Sequence, residues 1–118
     1  MKIKTADLIG PALDWAVAKC EGYEPHVYLE HDGKLCFQNR HYAPSTNWAQ
    51  GGPIIEREKL QLEYMDNFDA WACSSGISVE DDQAWDQGYG PTPLIAAMRC
   101  FVASKLGDEV EIPEALNP

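Results

Sequence analysis

Apolar residues near the start of the chain recur every three to four positions: Leu8, Ile9, Ala12, Leu13, Ala16, Val17 and Cys20 form one stripe, with Trp15 at its edge. That spacing predicts an amphipathic helix over residues 5–20. Thr5 supplies an N-cap oxygen and Gly22 a stop. Pro11 conflicts with a straight helix from Thr5, because a proline beyond the first turn removes a backbone bond and crowds the preceding carbonyl. The pattern therefore predicts a kink there, or a helix that begins at Pro11. Residues 27–29 and 34–37 are short β-prone runs separated by Glu30-His31-Asp32-Gly33, and the Asp-Gly pair signals a hairpin.

Ser45 or Thr46 then caps a second helix that holds Trp48 and, near its end, Ile54 and Ile55. The interruption Gly51-Gly52-Pro53 makes this helix weak on propensity alone, so tertiary packing must hold it. Strict alternation puts Leu60, Leu62 and Tyr64 on one face of a strand, and residues 68–73 return as its hairpin partner. Residues 74–91, rich in Gly, Ser and Asp, read as a polar loop of the length that usually carries function. The last helix is the clearest: Thr92 caps it, Pro93 takes its first position, Leu94, Ile95, Met98, Phe101, Val102 and Leu106 form the stripe, and Gly107 ends it. Residues 108–118 read as an extended acidic tail. These elements predict a single α+β domain over residues 1–118, with a small, mainly antiparallel sheet packed with about three helices in an α/β/α sandwich-like arrangement.

Composition narrows the reading. At 118 residues and 45% hydrophobic content the chain can build one core but not two comfortable ones. No run approaches a membrane-spanning length, and residues 1–7 lack a secretory signal pattern, so the expected compartment is the cytoplasm. Cys20, Cys36, Cys73 and Cys100 are irregularly spaced without a C-x-x-C pair and read as reduced thiols acting as small core residues. The formal charge of -10 is uneven: residues 1–50 carry six acids and five bases, residues 51–118 thirteen acids and four bases. Such a surface repels phosphate backbones, which excludes ordinary direct nucleic-acid binding. It leaves a solvated acidic face or an imitation of DNA charge that occupies a host DNA-binding protein.

Motifs for chemistry are sparse. His26, His31, Cys36 and His41 fall at intervals of five, which on strands points them to opposite faces, so no metal site is expected. Carboxylates are plentiful, at Glu56, Glu58, Asp66, Asp69, Glu80, Asp81, Asp82 and Asp86, but the consecutive run is of the solvated kind. No nucleophile motif, phosphate-binding loop or H-E-x-x-H is present, so no catalytic residue and no cofactor is assigned. The best ligand candidate is Gly88-Tyr89-Gly90-Pro91-Thr92-Pro93 at the entry to the last helix, where backbone N–H groups and the helix dipole favour an anion. Trp85 and Tyr89 can stack on a base there, whereas Arg99 reaches such a ligand only by folding back or from a neighbouring subunit. Asn47 and Trp48 at the second helix start offer a polar edge beside a stacking surface. The candidate ligand-binding set is therefore Asn47, Trp48, Trp85, Tyr89, Gly90, Thr92 and Arg99.

The segment Pro44-Ser45-Thr46-Asn47-Trp48-Ala49-Gln50-Gly51-Gly52-Pro53-Ile54-Ile55-Glu56-Arg57-Glu58, read with residues 12–19 and 92–107, resembles the small NinX-like proteins of tailed bacteriophages and prophages. The resemblance covers most of the chain, most strongly residues 5–20, 44–58 and 92–107, and does not extend to residues 74–91. It implies a small domain with helices on both faces of a sheet and brings no biochemical activity with it. The combined expectation is a non-enzymatic phage accessory protein that binds a host or phage component. The alternatives are a binder that sequesters a small anionic nucleotide signal, and an acidic DNA mimic. A nucleotide binder requires a pocket lined by Trp48, Trp85 or Tyr89 with Arg40, Arg57 or Arg99 facing inward. Four Trp and five Tyr leave aromatic surface for an interface, and a homodimer is the expected assembly.

Overall fold

The computed structural model describes residues 1–23, 27–29, 33–75 and 86–116. Its centre is helix α3, Pro93–Leu106, in which Leu94, Ile95, Ala96, Ala97, Met98, Cys100, Phe101 and Val102 are all buried. A helix apolar nearly all round belongs inside a protein, and α3 is packed from several sides. Thr92 Oγ1 accepts from Ile95 N–H at 3.1 Å, Pro93 occupies the first turn and Gly107 follows the last residue, as the sequence predicts.

Strands β5 (Leu60–Met65), β6 (Ala70–Ser75) and β7 (Asp86–Gly90) form an antiparallel sheet against α3. The register pairs Leu62 with Cys73 and Cys73 with Gly88, so these three share the face turned to the helix. A Cβ on Gly88 would lie 2.5 Å from the backbone nitrogen of Cys100 and closer still to Ala96 O, and only glycine lets β7 lie backbone to backbone on α3. This corrects the expected polar loop over 74–91. Residues 74 and 75 finish β6, residues 86–90 are a strand, and 76–85 lie outside the described residues. Glycine weakens a strand by propensity, but here its missing side chain is what the packing requires.

Helix α1 (Gly10–Cys20) and helix α2 (Trp48–Glu58) pack on α3. On the opposite face of the β5–β7 sheet Gln61, Glu63, Gln87 and Tyr89 are exposed. Among the described residues the strands divide among three small antiparallel sheets. β2 (Val27–Leu29), β3 (Leu35–Phe37) and β4 (Arg40–His41) form the second, which contains the predicted first hairpin; its turn residues 30–32 lie outside the described residues. The third joins β1 (Lys2–Lys4) to β8 (Glu109–Glu111), placing Lys2 opposite Glu111 and Lys4 opposite Glu109. Opposite charges across the ribbon favour this register. The expected extended tail is thus partly a strand, and it delivers Val110, Ile112 and Leu116 to the core.

Two caps differ from expectation. Thr5 does not start α1; Thr5–Asp7 is a separate 3-10 turn, and the Thr5 hydroxyl donates to Gly107 O at 2.6 Å. α1 begins at Gly10, which puts Pro11 in the first turn where its missing N–H costs nothing. It ends at left-handed Gly22 (φ 78°), with Gly22 N–H donating to Lys19 O and Tyr23 N–H to Ala18 O, a Schellman closure. α2 is capped by Asn47, whose Oδ1 accepts from Ala49 N–H at 2.9 Å, and not by Ser45 or Thr46. Ser45 is committed elsewhere: its N–H donates to Asp14 Oδ1 at 2.8 Å. Gly51, which weakens α2 on paper, is also a contact requirement, since a Cβ there would fall on Pro44 O and within 2.7 Å of Leu94 Cδ2.

Candidate functional site

A cleft of about 570 Å³ lies between the end of α1, the β3–β4 hairpin and α2. Its construction begins with the hairpin turn. Gln38 and Asn39 both adopt positive φ (53° and 62°), as a two-residue type I′ turn requires, although neither is glycine. This turn sets Arg40 and His41 on the rim. Gln50 on α2 straps the hairpin down: its Nε2 donates to His41 O at 2.8 Å and its Oε1 accepts from Ala43 N–H at 2.6 Å.

Aromatic rings line the cleft. Tyr23 and Phe37 stack with centroids 4.3 Å apart at 10°, and Tyr42 meets both edge-on at 5.9 and 6.1 Å. Such arrangements suit ring quadrupoles and add to the area they bury. Burial, with a further push from Glu21, drives the Tyr42 phenol far above its ordinary range, so it stays neutral.

Arg57 closes one end. Its two terminal nitrogens grip Glu21 and its Nε donates to Glu58 at 2.9 Å, while the guanidinium lies 5.7 Å from the Phe101 ring centroid. These partners, Glu21 first, hold the guanidinium firmly charged, and Arg57 in turn holds Glu58 below the usual carboxylate range. The fork is already filled by carboxylates, so Arg57 shapes the cleft wall instead of receiving an anion. Arg40 and His41 are exposed, and among the described residues neither forms an ion pair.

A second cavity, of about 430 Å³, is lined by Tyr89, Gln87, Arg99, Lys4, Asp108 and Glu109 among others. Arg99 does fold back: its Nε donates to Leu8 O at 2.8 Å and one terminal nitrogen donates to Tyr89 O at 2.7 Å. Burial lowers its pKa, partly offset by Asp7, yet among the described residues it forms no ion pair. Another, smaller cavity of about 190 Å³ brings Trp48, which is 55% exposed, next to Thr92 and Pro93. The candidate residues therefore divide: Tyr89 with Arg99, Trp48 with Thr92, Asn47 at the α2 cap, and Gly90 buried against α3, while Trp85 lies outside the described residues.

Under the cleft sits a group without a signal in the sequence. Asp14 is only 4% exposed, inside the apolar stripe of α1, and burial lifts its carboxyl to about 6 against the pull of Ser45. The Ser45 backbone N–H makes the well-formed bond; the neighbouring Ser45 hydroxyl is buried and makes no hydrogen bond of ordinary geometry, so its influence on Asp14 is one of proximity. Among the described residues no three His, Cys, Asp or Glu side chains are grouped to hold a metal, and no disulfide joins the cysteines. His41 and Cys36 sit opposite each other on β4 and β3, whereas His26 and His31 lie outside the described residues.

The family model described as "Bacteriophage P22, NinX" matches residues 4–105. The chain belongs to that phage family. Every residue lining the aromatic cleft falls inside the matched span, whereas Asp108 and Glu109 of the second cavity fall outside it. No curated protein matches the chain. No described helix of this NinX-family protein is long and apolar enough to cross a membrane.

Proposed function

We propose that this NinX-family chain is a non-catalytic phage accessory protein that binds a host or phage protein through the cleft between the β3–β4 hairpin and α2. The observation that carries the reading is the preformed aromatic wall of Tyr23, Phe37 and Tyr42 beside the Arg40 guanidinium, which no described carboxylate neutralises, and the exposed His41. Aromatic anchors in a concave, ordered site are where binding energy concentrates at interfaces. The Arg40 guanidinium selects a partner segment that brings an apolar side chain flanked by carboxylates, and it does so on a protein otherwise acidic, where such a segment is repelled elsewhere.

The supporting geometry is rigid. Gln50 fixes the hairpin to α2, and the Glu21–Arg57–Glu58 ion pairs fix α1 to α2, so little ordering is required on binding. The test is affinity purification from phage-infected cells with the wild type, Phe37→Ala and Arg40→Glu. A protein recovered with the wild type should be lost with both variants, and Arg40→Glu should slow its association in low salt. Equal recovery with all three would refute the cleft as the binding surface.

A further inference from the structure

An apolar side chain flanked by carboxylates, the kind of segment that suits the cleft, is displayed by the chain itself. Strands β5 and β6 pair as far as Met65 and Ala70, which leaves Asp66, Asn67, Phe68 and Asp69 as a four-residue tip. Phe68 is 71% exposed, and Asp66 and Asp69 flank it without an ion pair among the described residues. Single exposed apolar residues are common on surfaces. This one is held in a fixed place. Phe68 N–H donates to Met65 O at 3.2 Å, Asp69 N–H donates to Asp66 O at 3.4 Å, and Asp69, in the left-handed region at φ 48°, accepts from the Tyr64 hydroxyl. Tyr64 packs in turn on Trp71, with ring centroids 5.4 Å apart. The tip is thus ordered while its one large apolar side chain stays in solvent, so little entropy is lost when it docks.

The tip residues do not line the cleft of their own chain, and the hairpin that carries them is fixed on α3 through the β5–β7 sheet. A tip that enters a cleft therefore enters that of another copy. The chemistry matches on both counts. Tyr23 and Phe37 are half-buried, which leaves ring surface open to a further aromatic side chain, and a cleft of about 570 Å³ admits one. Arg40, exposed on the rim and without an ion pair among the described residues, is placed to meet Asp66 or Asp69, whereas Glu21 in the cleft wall is already held by Arg57. Two copies of net charge -10 repel at long range, but at about 0.15 M salt the screening length is about 8 Å, so local complementarity decides the contact.

On the reading of the cleft as a protein-binding surface, on which this rests, we propose that the cleft of one copy receives the 66–69 tip of a second copy, with Phe68 against the Tyr23, Phe37 and Tyr42 wall and an aspartate at Arg40. Such a contact joins two different patches, so a pair keeps one free cleft and one free tip and grows into a closed ring or an open chain. Sedimentation equilibrium of the intact chain at about 0.15 M salt tests it. The wild type should gain mass with concentration. Phe68→Ala, which lacks the tip ring, and Phe37→Ala, which lacks part of the wall, should each self-associate at least about tenfold more weakly. An equimolar mixture of the two variants should associate again and stop at a pair, because it supplies one intact cleft and one intact tip; unfolding of either variant cannot produce that result. Arg40→Glu replaces Phe37→Ala in the mixture if circular dichroism shows the latter unfolded. A wild type that stays monomeric, self-association unchanged in Phe68→Ala, or a mixture that fails to pair would overturn the proposal. In each of those cases, a partner recovered from infected cells by the wild type and lost with Phe37→Ala would leave the cleft as a binding surface for another protein, whereas equal recovery would remove both readings.

Discussion

Replacing Asp14 by Asn should stabilise the protein above neutral pH and lose that advantage in acid. The Asp14 carboxyl is raised from 3.8 to about 6, burial being the largest cause. Between those two values the folded chain holds a proton that the unfolded chain has released, so stability falls as pH rises through that window and stays at its lower level above it. At about 1.4 kcal/mol per pH unit, the window corresponds to about 3 kcal/mol, an upper figure because water reaching the site screens the charge. Asparagine removes the charge but keeps an oxygen for the Ser45 N–H, now 2.8 Å from Asp14 Oδ1. Its amide N–H can also supply a donor to the buried Ser45 hydroxyl, which lacks a hydrogen-bond partner. Urea unfolding followed by tryptophan fluorescence, on both proteins at a series of pH values across the window, reads the effect as a difference. Other carboxylates titrate alike in the two proteins and cancel. Asp14→Asn should be more stable by about 2–3 kcal/mol at pH values well above the window and should converge on the wild type, apart from a constant offset, at its acid end. A difference that does not change with pH would refute the assignment of a burial-raised carboxyl to Asp14.

Two neighbouring glycines in α2 should respond oppositely to alanine: Gly51→Ala drives a methyl onto Pro44 O and should cost about 3 kcal/mol or more, whereas Gly52→Ala meets only Trp48 Cε3 at 3.9 Å and should gain about 0.5–1 kcal/mol. Denaturant midpoints of the two variants check this directly. Thr92→Ala removes the side-chain acceptor for Ile95 N–H and should cost about 1 kcal/mol in the same assay, with the unfolding slope unchanged.

The parts of the fold that were legible are those where independent signals coincide within one segment. In α3 a cap, a first-turn proline, an apolar stripe and a terminal glycine all agree, and the helix lies where they place it. The β5–β6 hairpin follows from alternation alone. What escaped depends on partners distant in the chain. Strand β7 reads as loop because Gly88 and Gly90 have poor strand propensity, and only the backbone of α3 pressed against them explains their presence. Strands β1 and β8 are too short to announce themselves singly, although Lys2-Ile3-Lys4 and Glu109-Val110-Glu111 are complementary in charge and pattern. Ser45, Thr46 and Asn47 are equally good caps by type, and the claim of Asp14 on Ser45 enters only with tertiary structure. The aromatic cleft was illegible for the same reason: Tyr23, Phe37, Tyr42 and Arg57 come from separate segments and form no motif. The second cavity was partly legible, since Tyr89 and Arg99 were both candidates, while the fold-back that joins them was one of two alternatives.

The most direct test of the cleft as the working surface is photo-crosslinking in phage-infected cells, with a photoreactive residue placed at Gln38 on the cleft rim or at Gln61 on the exposed sheet face. The account predicts a discrete crosslinked protein from position 38, abolished by Phe37→Ala, and no such product from position 61. A product from position 61 alone, or one from position 38 that persists in Phe37→Ala, would contradict it.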